Sequence, residues 1–346
     1  MKTKGIAVKL EEAERTRRHL SKRNLIRKDL KINRDKEFVY FPIREDISKM
    51  KSYKLVECDF EGIRLKTKTY KEVIKIPEKI VKELPTSYDI VGDIILIKLD
   101  SKLLKYKGKI GESLLISNKN VKTICLIKPV KGELRTRDTE IIAGKNRTKT
   151  IHKEYGLKFE VDIGKTYFSP RLANERKRVA DSVKSDEIIV DMFAGVAPFS
   201  IMIAKYAKPK IIYALDKNKK AIEYAKKNAK INNVLDKVEI IYADARDIEK
   251  IFNKGNRKAN RIIMNLPFSA NKFFKYALKI ISDSCIIHYY DILKEEKINE
   301  RIKELERIAE KNKITLSNFD FRKIKTYAPR EFYIGIDITA KQNMPM

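Results

Sequence analysis

One stretch limits what this chain can fold into more than any other: Ile188-Ile-Val-Asp191-Met-Phe193-Ala194-Gly195-Val196-Ala-Pro198-Phe-Ser200. An apolar run ends in a carboxylate, a tight turn follows around Gly195, and helical character begins at Pro198. That is how a parallel-sheet strand hands over to its first helix in a nucleotide- or cofactor-binding unit. Glycine lets the backbone pass close to a ligand, and proline suits a first helical turn, where its missing N–H goes unused. A second apolar run, Ile211-Ile-Tyr-Ala-Leu215, ends in another acid, Asp216. An acid there is placed to meet the hydroxyls of a ribose.

Two absences narrow the ligand. No G-x-G-x-x-G provides close approach to a pyrophosphate, and no G-x-x-x-x-G-K-[ST] provides a triphosphate cradle. The pattern D-x-F-A-G-x-x-P-F-S resembles the first motif of class I S-adenosylmethionine (AdoMet) methyltransferases. That resemblance implies an α/β fold with a Rossmann-like sheet. It assigns cofactor contacts to Asp191, Phe193, Ala194, Gly195, Val196, Asp216, Lys217, Asp244, Ala245 and Asn265. Many relatives carry a second glycine where this chain has Ala197.

The order of elements supports a parallel sheet in residues 167–346. Lys217–Ile231 reads as a helix, Val238–Asp244 as a third strand, Arg261–Met264 as a fourth and Cys285–Tyr290 as a fifth. A charged helix from about 292 to 312 and a hairpin near 319–325 and 331–339 follow. Ahead of this unit, residues 63–166 read as a β-rich α+β middle domain. It has a short helix at Lys79–Leu84, strand pieces bent at Gly92, and strands around Val121–Ile127 and Lys158–Val161. Residues 1–62 read as a small basic α+β domain whose helix, Glu11 to about Ile26, carries Arg15, Arg17, Arg18, Lys22 and Arg23.

Charge is the strongest bulk signal. The chain carries 77 Lys and Arg against 47 Asp and Glu, a net charge of +30. A surface rich in ion pairs would explain many charges but not this imbalance, which favours a polyanionic partner, nucleic acid first. No apolar run approaches a membrane span, and the first residues lack an apolar signal core, so a cytoplasmic setting is expected. Cys58, Cys125 and Cys285 are odd in number and have no metal-ligand spacing. Cys285 and His288 read as buried strand residues, and no metal is expected.

The fourth-strand loop Asn265-Leu-Pro267-Phe268 resembles the N-P-P-Y type loop of enzymes that methylate exocyclic amines. A wider set of motifs resembles one family throughout the chain: Asn146–Glu154, Tyr167-Phe-Ser-Pro-Arg171, Val190–Val196, Met264–Pro267, His288-Tyr-Tyr290 and Tyr327-Ala-Pro-Arg330. This is the archaeal and eukaryal tRNA (guanine-N1)-methyltransferase family, which acts on the guanosine just 3′ of the anticodon. The resemblance implies a monomer that binds the tRNA elbow and anticodon loop. Guanine N1 carries a proton at neutral pH, so its methylation needs a base, and a cation near O6 would stabilise the anion that forms. The resemblance gives these roles to Glu175 and Arg135, and places Tyr167, Asn265 and Pro267 around the cofactor and guanine. After Asn-Leu-Pro the chain departs from the family pattern, with Phe268-Ser-Ala in place of a basic or polar residue.

Two other readings stay open at this point. An RNA methyltransferase acting on an exocyclic amine, such as guanine N2, would need no strong base. A non-catalytic tRNA-binding protein would keep only a relic cofactor pocket. Relatives that build wyosine bases move a different carbon chain of AdoMet, and the Asn-Leu-Pro loop favours methyl transfer over that.

Overall fold

The computed structural model describes residues 2–44, 53–62, 69–128, 138–253, 255 and 257–343. Contacts divide the chain into two compact units, Met1–Lys68 and Thr69–Met346. In the first, β1 (Lys2–Lys9), α1 (Ala13–Lys22), β2 (Asn33–Arg34), β3 (Phe38–Pro42) and β4 (Lys54–Asp59) build an antiparallel sheet of order β2-β3-β1-β4. Helix α1 buries only Thr16 and Leu20, one turn apart, and leaves Arg15, Arg17, Arg18 and Lys22 exposed. One face of the helix therefore packs and the other is a cationic surface.

The second unit begins with α2 (Tyr70–Val73), α3 (Glu78–Val81), β5 (Asp89–Val91), β6 (Ile94–Ile97), α4 (Lys107–Ser117), β7 (Thr123–Ile127) and β8 (Thr139–Gly144). Its first sheet runs β5-β6-β7-β8, and only β6 and β7 are parallel, joined by α4. Helix α4 escapes a reading by periodicity because apolar residues surround its two glycines on several faces. A hairpin follows, β9 (Lys149–Glu154) and β10 (Leu157–Asp162), turned at Tyr155 and Gly156 with positive φ at both.

The rest is one wound unit. It comprises α5 (Ala173–Ser182), β11 (Ile188–Asp191), α6 (Pro198–Tyr206), β12 (Ile211–Asp216), α7 (Lys219–Ile231), β13 (Val238–Tyr242), α8 (Ile248–Asn253) and β14 (Ala259–Met264). Then come α9 (Ala270–Leu278), β15 (Ile281–Lys294), α10 (Ile298–Lys311), β16 (Ile314–Ala328) and β17 (Glu331–Gln342). The seven-stranded sheet has the order β13-β12-β11-β14-β15-β17-β16. Strands β11 to β15 are parallel, and β17 runs antiparallel between β15 and β16. Ile189, Val190, Ile212, Ala214, Ile262, Ile263 and Ile287 are fully buried, as expected of strands covered on both faces. The β10 edge docks on α7 through amides: Asn228 Oδ1 accepts from Glu160 N–H and Asn232 Oδ1 from Lys158 N–H.

The sheet corrects the reading of the C-terminal part. Strand β15 runs on to Lys294, so the charged helix begins at Ile298 and not near 292, and both hairpin strands are longer than expected. The extension persists because Asp291–Lys294 stay paired with Glu331–Ile334 of β17. Cys285 and His288 are both buried within β15. Among the described residues, no helix is long and apolar enough to cross a membrane.

Candidate active site

Strands β12 and β13 extend the sheet on one side of β11, and β14 and β15 on the other, so the connections leave in opposite directions there. A cavity of about 970 Å³ opens at the carboxyl ends of these strands, where ligands sit in open α/β sheets. Of the residues expected at the site, Tyr167, Phe193, Ala194, Gly195, Asp216, Lys217, Asp244, Ala245, Asn265 and Pro267 all line this one cavity.

The turn after β11 is built to hold Asp216. Gly195, at φ +56°, donates its N–H to Asp216 Oδ2 at 2.7 Å, and Asn218 N–H donates to Oδ1 at 2.8 Å. Burial pushes the Asp216 carboxyl up and these two amides pull it back. Asn218 also caps α7, accepting from Lys220 and Ala221 N–H, so helix and carboxylate share one anchor. Asp244 at the end of β13 is gripped by Arg246, which holds its carboxyl down at about 2.

Two expected cofactor contacts lie behind the cavity wall. Asp191 is 1% exposed and accepts a hydrogen bond from Ser200 Oγ at 2.9 Å, while its Oδ1 has no partner. Burial raises its carboxyl to about 7, and the Asp216 charge adds to the rise. Val196 is fully buried. The last residue of a short parallel strand can point to either face, and here it turns under α6. Arg135 lies outside the described residues.

Glu175 also does not line the cavity. It sits in the first turn of α5, almost fully buried. Arg178 donates to both its oxygens, at 3.0 and 2.8 Å, and Tyr290 hydroxyl donates to Oε1 at 2.8 Å. Burial would raise its pKa, but Arg178, Tyr290 and Arg322 outweigh that and hold it below the ordinary glutamate range. The network continues to Asp337 on β17, which accepts from Arg178 Nη1 at 2.9 Å and also pairs with Arg322 and His288. Arg261 donates to His288 Nε2 at 2.7 Å, so the imidazole is neutral and its Nδ1–H donates to Asp337.

Three arrangements at the site have no local sequence signal, because each joins residues on different elements. Arg176, 1% exposed, forks onto Glu154 of β9 and donates to the Ser169 carbonyl at 3.2 Å, which fixes the Tyr167–Ser169 segment on the cavity wall. Tyr333 of β17 donates its hydroxyl to Asn265 Oδ1. Asp291, fully buried on β15, accepts the Phe268 N–H at 3.0 Å while held by Tyr289 hydroxyl, Ile292 N–H and Arg301. That grip keeps Phe268 at φ +73°, a conformation that costs a bulky side chain about 1–3 kcal/mol.

The arrangement suits a nucleoside lying along the sheet ends. Asp216 offers acceptors to a ribose diol, Asp244 and Ala245 flank the third strand end, and Leu266, Pro267 and Phe273 supply apolar wall. Asn265, opposite, has its carbonyl engaged by Tyr333, which leaves its amide N–H groups to orient a second ring.

Comparison with known proteins gives three adjoining matches. Residues 5–51 match the tRNA methyltransferase 5 N-terminal domain, 70–148 the TYW2 N-terminal domain, and 150–317 the TRM5/TYW2 methyltransferase domain. The chain is 37% identical to the tRNA (guanine(37)-N(1))-methyltransferase Trm5b of Pyrococcus abyssi, over 97% of this chain and 98% of that one. It is 39% identical to the protein of the same name from Methanocaldococcus jannaschii, over 96% and 97%. The fold is similar to a solved complex of aTrm5 and tRNALeu, with TM-score 0.72 at 38% identity, covering 98% of this chain and 99% of that one.

Proposed function

The chain belongs to the TRM5/TYW2 methyltransferase family, and on that premise we propose that it methylates N1 of guanosine 37 in tRNA with AdoMet as donor. The observation that carries the reading is the cavity at the sheet's switch point, with the Asp216 anchor on one side and the Asn265–Phe268 loop on the other. When bound, AdoMet supplies an electrophilic methyl group. Asp216 would hold its ribose, the Gly195 turn would pass its methionine end, and Asp244 with Ala245 would border its adenine.

Asn265 favours a ring-nitrogen acceptor over an exocyclic amine. Tyr333 engages its carbonyl, which leaves the amide N–H groups as the donors Asn265 can offer. Those donors suit guanine O6, where negative charge collects once N1 loses its proton. The family resemblance assigns Arg135 to supply a cation at that oxygen. Glu175 takes the N1 proton. Held by Arg178, Tyr290 and Arg322 the carboxylate is ionised but a weak base, so releasing the Arg178 fork on substrate binding would both free its oxygens and raise its basicity.

Residues 1–62 serve the tRNA elbow, 63–166 the RNA path, and 167–346 the chemistry. The protein acts as a monomer in the cytoplasm. The test is methyl transfer from labelled AdoMet to a tRNA transcript, followed by nucleoside identification. 1-Methylguanosine is expected, while N2-methylguanosine or transfer of a longer carbon chain would overturn the assignment. Glu175→Gln should lower kcat by at least about 100-fold and leave AdoMet affinity unchanged. Full activity of that variant would remove Glu175 from the role of base.

A further inference from the structure

We infer that Phe268 and Tyr327 form a stacking platform for a nucleobase next to the guanosine that enters the cavity; this rests on the RNA-methylating reading above. Both rings are unusually open for their size, 53% and 48% exposed. Their centroids are 5.5 Å apart at 74°, an edge-to-face pair at the rim of the cavity. Phe268 follows directly on the Asn265–Pro267 loop, and Tyr327 lies near the tip of the β16–β17 hairpin. Neither ring contributes to a core.

The backbone shows that the exposed position of Phe268 is enforced. A phenylalanine at φ +73° persists only where its surroundings over-determine it. Asp291, fully buried and itself held by Arg301 and Tyr289, supplies that restraint through the Phe268 N–H. The result is an apolar face turned to solvent beside the acceptor loop.

The surrounding charge identifies the occupant as part of a polyanion. Lys98 lies 6.0 Å from the Tyr327 ring centre. Lys272, Lys275 and Lys325 line the same cavity. Open aromatic faces set among cations are how proteins hold unstacked bases while pairing with the backbone. A guanosine drawn into the cavity leaves its chain neighbours without one stacking partner, and the Phe268–Tyr327 pair supplies a replacement surface.

The test uses the full chain with tRNA carrying 2-aminopurine immediately 5′ or 3′ of the target guanosine. Fluorescence should be quenched on binding at one of the two positions. Phe268→Ser combined with Tyr327→Ser should abolish the quench and raise KM for tRNA about tenfold, in line with one lost base–aromatic stack. Phe268→Tyr should keep the quench, and Phe268→Leu, which retains bulk without a π-face, should lose it. AdoMet affinity by calorimetry within twofold of wild type confirms a folded cleft in each variant. A wild type that methylates tRNA while both probes stay bright overturns the inference and leaves the reaction standing. Quenching without any methylation overturns the reaction and leaves the platform standing.

Discussion

Asp191 and Glu175 are both carboxylates almost out of reach of water, and their surroundings drive them in opposite directions. Asp191, at the tip of β11, has only Ser200 and nearby backbone N–H groups to offset its burial and a second acid close by, so its carboxyl is pushed up to about 7. Glu175, under the α5 turn, has Arg178, Arg322 and a phenol, and it stays ionised. Burial alone therefore does not decide which acid carries charge. The difference lies in strand β17, which brings Asp337 and so gathers guanidiniums around one site and not the other.

Four changes would break or sharpen this contrast. The largest effect is expected from Asp337→Ala, which leaves Arg178, Arg322 and His288 without their shared partner. Loss of the shared acid from this partly buried ionic network should destabilise by about 3 kcal/mol, read by urea unfolding. A change below about 1 kcal/mol would show that the network is not a unit. Next, Asp216→Asn removes the charge proposed to face the ribose and turns one of the two oxygens held by the Gly195 and Asn218 amides into a donor. AdoMet binding by calorimetry should weaken by about 1.5–3 kcal/mol, and unchanged affinity would take Asp216 out of the binding site.

Third, Asp191→Asn tests the raised carboxyl. A folded-state pKa of about 7 lies above the unfolded value, so the native state binds the extra proton. Asp191 therefore makes the wild type lose stability as pH rises from about 4 to about 7, by up to about 1.4 kcal/mol per pH unit. The asparagine variant should lack this slope and gain on the wild type most above pH 7. Parallel unfolding curves at pH 5 and pH 8 would contradict the shift. The smallest effect belongs to Ala197→Gly in the same turn. Ala197 sits at φ +63°, and glycine removes the left-handed strain at some loss of chain entropy and packing. A net gain of at most about 1 kcal/mol is expected in thermal unfolding.

The sequence made the sheet and its glycine turn legible because both depend on short-range patterns. A buried strand, a glycine turn and a strand-end acid occupy adjacent positions, and Gly195 and Asp216 meet where that pattern places them. It could not tell whether Asp191 faces the ligand or the core, since one residue of phase decides. Helix α4 lacked a clear apolar stripe, and β15 read as shorter because Asp291 looks like the end of a strand when Arg301 is out of view. Arg176–Glu154, Tyr333–Asn265 and the Asp337 network join elements far apart in the chain. Only the assembled topology brings them together.

Strand β17 is threaded between two strands made before it. A nascent chain that has emerged from the ribosome as far as Arg330 thus holds β15 and β16 with no sheet partner between them, and it lacks both Tyr333 and Asp337. Such a chain presents open hydrogen-bonding edges, an unbraced Asn265, and Arg178 and Arg322 with only part of their acidic partners. Addition of this one late segment therefore closes the sheet and braces the cleft together, and a chain without it exposes strand edges open to mispairing.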